Sequence, residues 1–208
     1  NLLAGTLISP RHVLFAAHYD NITTNRTLTF VDRQNNVVTR TLVAKKRHWE
    51  YAGRPLYYPD ITIGLLDSDV PTNQLSYAKV LPDNYANHLR SGDRLPAICL
   101  DQEEKARLLD IGCIDQVSGT RVETYAHLPL DGDRLNLHEK FQSGDSGNPC
   151  LIFLNGTPVI LTVWTSGIFA GGGTSVTAFK ADINQLMSDL GGGYQLTEID
   201  LAGFTPLP

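Results

Sequence analysis

The sequence predicts an all-β protein, a barrel or a sandwich, and three observations lead there. Short runs rich in Val, Ile, Leu, Thr and Phe follow one another along the 208 residues, the composition that fits a pleated, half-buried surface. Turn signals such as "SP", "DRQNN", "SGD" and "LNGTP" separate these runs at short intervals. Helical periodicity is scarce, which argues against alternating strands and helices around a parallel sheet.

In chain order the expected strands are "GTLIS", "HVLFAA", "RTLTFV", "NVVTRTLVAKK", "ITIGLL", "RLPAICL", "NPCLIFL", "PVILTVW" and "TSVTAF". "RQNN" joins the third and fourth as a hairpin. "LNGT" joins "CLIF" to "PVILTVW" as another, because Asn155-Gly156 suits a tight turn whose central residues need positive φ. Two segments read as helices. "DQEEKARLLD" is short and charged, while "KADINQLMSDLGGG" places Ile183, Leu186, Met187 and Leu190 on one face before a glycine stop. The irregular stretch 71–93 is the expected connection between two halves, and the glycine runs 171–173 and 191–193 read as flexible loops.

Bulk properties bound the function. With 42% hydrophobic and 19% charged residues the chain has an ordinary globular composition, and a net charge of −5 argues against a non-specific nucleic-acid binder. Its apolar stretches are broken by Gly, Pro and Asn before they reach the length of a membrane span. No leader is visible, and Asn1 is not a native start, so a cleaved leader stays open. Cys99, Cys113 and Cys150 allow at most one internal disulfide, which leaves one thiol over, and at least one of the three is expected to be a buried small hydrophobe. Sequons occur at Asn21, Asn25 and Asn155.

The chemistry concentrates on "FQSGDSGNPC", which sets Ser146 between two glycines. Alone, such a stretch is more often a turn. A serine hydroxyl becomes a nucleophile only beside a general base. All six histidines (His12, His18, His48, His88, His127 and His138) precede Ser146. That order removes the α/β-hydrolases, whose histidine follows the nucleophile. His18 ends the strand-like run "HVLFAAH" after two small alanines, and Asp60 directly precedes "ITIGLL". A carboxylate there can hold the imidazole in one tautomer. Asp67 and Asp69 compete for this role, but they follow the strand and read as turn residues.

Together "GTLISPRHVLFAAH", "PDITIGLL" and "SGDSGNP" resemble, in the same order, the histidine, aspartate and serine motifs of the chymotrypsin/trypsin-like serine proteases. "PVILTVWTSG" resembles that family's strand beside the specificity pocket, and "KADINQLMSDLG" its C-terminal helix. The resemblance implies two perpendicular six-stranded Greek-key barrels with a short C-terminal helix, over residues 1–75 and 76–208. The first strand of the first barrel would be missing. It implies an endopeptidase with His18, Asp60 and Ser146 as catalytic triad, Gly144 and Ser146 as oxyanion donors, a peptide or protein substrate, and no cofactor or metal. Thr165, Ser166 and Gly167 would align the substrate, Ser175 would line the pocket wall, and Lys140 would lie at the pocket base and select acidic or small side chains. The expected location is secreted or periplasmic. A catalytically silent homologue that binds a partner through the same cleft is the alternative, and an esterase with the same triad a third.

The chain departs from the family pattern in particular ways. Tyr19 stands where a cysteine follows the histidine, and Asn148 stands for a glycine. Digestive-type members pair the residue corresponding to Asp145 with a new amino terminus, and the sequence supplies no partner for it.

Overall fold

The computed structural model describes residues 4–19, 22–48, 59–89, 94–101, 103, 105–118, 121–167 and 171–203. They form an all-β fold of two sheets, a half-barrel and a nearly closed barrel. The first sheet contains β1 (Thr6–Leu7), β2 (His12–Phe15), β3 (Thr27–Val31), β4 (Val37–Arg47) and β5 (Thr62–Leu66), in the order β1-β2-β5-β4-β3. Every pairing is antiparallel. β2 is buried along its whole length and β5 nearly so, as their continuous apolar sequences require. β3 lies at the edge and alternates between exposed and half-buried residues.

Turn chemistry sets the β3–β4 hairpin. The Asp32 carboxylate accepts the N–H groups of Gln34 and Asn36 at 2.8 Å each, while Asn35 takes φ +62°. The β2–β5 register has a consequence for function. Phe15 pairs with Thr62, so the chain leaving β2 toward residue 18 runs beside the chain entering β5 from residue 60. Antiparallel pairing alone therefore brings His18 and Asp60 to one end of the sheet.

The second sheet comprises β6 (Leu95–Leu100), β7 (Ala106–Ser118), β8 (Arg121–His127), β9 (Pro149–Leu154), β10 (Thr157–Val163), β11 (Ser166–Gly167) and β12 (Gly171–Thr174). Their order is β10-β9-β6-β7-β8-β12-β11. A bridge between Thr162 and Ser175, together with the Thr162 hydroxyl donating to the Thr174 carbonyl at 2.9 Å, draws β10 back toward β12. Asn155 and Gly156, both at positive φ, turn β9 into β10 as the Asn-Gly pair predicts.

A separate apolar layer joins the two sheets. Ile8, Leu14, Ile61 and Ile63 from the first meet Ile160 and Val163 from the second, with Ile183, Leu186 and Met187 of helix α2 (Lys180–Leu190), which follows the four-residue helix α1 (Gly132–Leu135) in the chain. The helix has the face its spacing predicts, and it is tied to β4 by the Lys46–Asp189 ion pair. His48 Nε2 lies 2.9 Å from Asp182 Oδ2. The connecting stretch is less irregular than expected: Lys79 and Val80 bridge to Val159 and Glu198. No helix among the described residues is long and apolar enough to cross a membrane.

Four expectations are corrected. The second sheet has seven strands among the described residues, not six, beside the five of the first. The segment read as the helix "DQEEKARLLD" enters β7, because Arg107, Leu109 and Ile111 turn inward at a spacing of two and pair with β6, while Asp110 and Ile111 also pair with β8. Local helix formers yield there to tertiary pairing. "TSVTAF" forms only the end of β12 and a turn. The glycines 171–173, read as a loop, are a buried strand. Their lack of side chains is what this strand needs, since a Cβ on Gly173 would overlap the Val163 carbonyl oxygen and one on Gly171 would collide with Phe141 and Trp164.

Gly173→Ala is therefore expected to cost at least about 2 kcal/mol, the middle of the range for overpacking a core. Gly132→Ala, whose Cβ would meet nothing within 4 Å, is expected to be neutral. Paired urea titrations compare the two.

Candidate active site

Asp60 has no solvent exposure and sits between two chain segments that need it. One oxygen accepts the backbone N–H of His18 at 2.8 Å, and the other lies 2.6 Å from His18 Nδ1. The Asp60 N–H donates to the Thr174 hydroxyl of β12 at 2.9 Å, so the second sheet helps to hold the carboxylate of the first. A carboxylate only accepts hydrogen bonds, so Nδ1 carries the proton and Nε2 of the neutral ring is left as a base. The His18 side chain is 23% exposed, enough to reach a bound molecule.

Ser146 is carried by the turn between residues 142 and 148. Asp145 N–H donates to the Gln142 carbonyl and Gln142 N–H to the Asp145 carboxylate. Gly147 and Trp164 close the far side through Gly147 N–H to Trp164 O at 2.9 Å and Trp164 N–H to Asn148 O at 3.0 Å. Gly144 at φ +109° and Gly147 at φ +82° take backbone conformations that side chains resist. Among the described residues, neither the Gly144 N–H nor the Ser146 N–H has a backbone or side-chain acceptor. N–H donors left open on a turn are the groups an oxyanion site uses. Also among the described residues, no hydrogen bond joins Ser146 Oγ to His18 Nε2. The link that does exist runs through Tyr19, whose hydroxyl donates to the Ser146 carbonyl.

A cavity of about 250 Å³ opens beside Ser146, lined by Phe141, Gln142, Ser143, Asp145, Ser146, Trp164 and Thr165. The Thr165 N–H donates to Gly172 O at 3.1 Å. Ser166 and Gly167 form β11, the last strand of its sheet, and of Ser166 only the backbone is described. Two expectations are corrected. Lys140 is exposed and does not line the cavity; the turn directs the next residue, Phe141, inward against Trp164 at 4.4 Å between ring centroids. Ser175 is fully buried and absent from the cavity wall, because its hydroxyl donates to Asp115.

The sequence missed Arg107, and with it the partner of Asp145. Its guanidinium is buried, 3.1 Å from Asp145 and 3.5 Å from Asp101, and lies over the Phe141 ring at 5.1 Å. Burial alone would raise the Asp101 carboxyl, but N–H groups of Lys105 and Glu103 and the guanidinium hold it below the ordinary range. The signal was a charged residue at an inward position of a strand, hidden by the helical reading of the segment. Cys99 and Cys150 are buried free thiols, pushed upward in pKa by that burial, and of Cys113 only the backbone is described. Of the sequons, Asn25 and Asn155 are exposed at positive φ, and Asn21 lies outside the described residues.

No protein-family model and no curated protein matches the chain.

Arg107→Met leaves two carboxylates buried without their cation, a change that typically costs about 3–5 kcal/mol. Denaturant titration is expected to show that loss, with partial recovery in Arg107→Met/Asp145→Asn.

Proposed function

We propose that the protein is a serine endopeptidase of the chymotrypsin type. The observation that carries this reading is the Asp60 carboxylate, which accepts both the N–H and the Nδ1–H of His18 and leaves Nε2 as the base. In this reading Ser146 Oγ attacks the peptide carbonyl while His18 Nε2 takes its proton. The tetrahedral oxyanion is met by the N–H groups of Gly144 and Ser146. His18 then gives the proton to the departing amine, and a water molecule repeats the sequence on the acyl-enzyme, restoring Ser146 and releasing the acid.

The surroundings support the same reading. β11 is an edge strand beside the cavity, where an extended peptide can add as a further strand. Phe141 and Trp164 in the cavity wall favour an apolar side chain next to the scissile bond, in place of the acidic or small one inferred from Lys140. Arg107 supplies a cation beside Asp145 from within the second sheet.

One observation favours a second reading, a silent homologue that binds peptides without cleaving them: the hydrogen bond from Ser146 to His18 is absent among the described residues. A fluorophosphonate probe separates the two. The first reading expects covalent labelling that Ser146→Ala abolishes, cleavage of a peptide library with apolar residues before the cut, and a loss of about four orders of magnitude in kcat for Asp60→Asn. An unlabelled parent chain that still binds the library peptides would support the second reading and overturn the first.

A further inference from the structure

We propose that Tyr19 is a positioning residue that clasps the base and the nucleophile into register across the boundary between the two sheets. This rests on the reading of His18 and Ser146 as base and nucleophile. Tyr19 belongs to the chain leaving β2, where its own N–H donates to the Ala16 carbonyl at 3.2 Å and its carbonyl accepts from Ile22 at 3.2 Å. The backbone around it is thus held by local turns just beyond β2. Its side chain reaches into the second sheet. The hydroxyl donates to the carbonyl oxygen of Ser146 and lies 3.5 Å from that of Gly144.

The ring is used as well. Its centroid lies 4.6 Å from that of the His18 imidazole, with the planes inclined at 48°. This is the separation at which aromatic rings attract. The ring also fills the space where a Cβ of Gly147 would stand, 2.8 Å from Tyr19 Cε2. Gly147 is therefore required twice, by its φ of +82° and by the tyrosine ring against it. Burial raises the Tyr19 pKa, so the hydroxyl remains a donor wherever the site works.

One side chain therefore touches the imidazole through its face and the nucleophile's own peptide through its tip. Asp60 fixes which nitrogen of His18 is the base, and Tyr19 fixes where that ring stands relative to the Ser146 turn. A hydrogen bond to a carbonyl leaves the Ser146 hydroxyl and N–H free for substrate. Tyr19 thus acts on alignment and has no part in proton transfer.

Tyr19→Phe and Tyr19→Leu separate the two contacts, since the first keeps the ring and the second loses both. Tyr19→Phe is expected to lower kcat and the rate of fluorophosphonate labelling about 10- to 100-fold, the scale for small misplacement of reacting groups, with KM for a peptide substrate unchanged. Tyr19→Leu is expected to lower both further. A merely structural tyrosine would instead lower thermal stability and leave kcat intact at a temperature where the variant is folded, and that result overturns the proposal. A second measurement does not need activity. In the Ser146→Ala background, Tyr19→Phe is expected to speed amide hydrogen exchange across residues 143–147, and Tyr19→Leu to shift the His18 ring resonances as well. Unchanged exchange and unchanged resonances overturn the clasp. An unlabelled parent with both changes present would retain the clasp and remove only the protease reading.

Discussion

A carboxylate with no access to water is the constraint around which the rest of this site is arranged. Removing Asp60 from solvent is costly unless its oxygens are occupied. They are occupied by two donors of one residue, the N–H and the Nδ1–H of His18. This arrangement needs the end of β2 and the start of β5 side by side, which the Phe15–Thr62 register provides. It also needs β12 close enough for Thr174 to hold the Asp60 N–H. The closeness of β12 depends in turn on its glycines, because side chains there would push it off β10 and Trp164.

A second buried carboxylate, Asp145, plays the corresponding part under Ser146. It ties the turn to itself through Gln142 and ties the turn to β7 through Arg107. The two anchors are of different kinds. Asp60 accepts the N–H and the Nδ1–H of His18, whereas Asp145 lies beside a cation that it shares with Asp101. The apolar layer of Ile8, Leu14, Ile61, Ile63, Ile160 and Val163 presses the two anchored segments together without specifying their alignment. Alignment across that layer is where a directional contact is needed, and Tyr19 makes one.

Several residues were legible beforehand for reasons of local chemistry. The Asn155-Gly156 hairpin, the face of α2 and the strands β2, β4, β5, β6, β9 and β10 follow from turn preference and period, both short-range properties. That His18 and Asp60 each stand at the end of a strand was also readable, while the adjacency of β2 and β5 that brings those ends together belongs to the tertiary structure. Lys140 was misplaced because the count of residues before Ser146 says nothing about which way a turn points them. In the structure Phe141 faces the cavity and Lys140 faces water.

By itself, then, the sequence determined that the chain is built of short antiparallel strands, and it singled out His18, Asp60 and Ser146 as the residues with chemistry to offer. Period, turn residues and motif order are local, and local rules suffice for them. Only the tertiary structure decided that "EEKARLLD" enters a strand, that three glycines form a buried one, that Arg107 is the cation for Asp145, and that Tyr19 spans the two sheets. Each of these depends on a partner far away in the chain, Asp145 for Arg107 and Ser146 for Tyr19. Burial beside such a partner overrides what the neighbouring residues would choose.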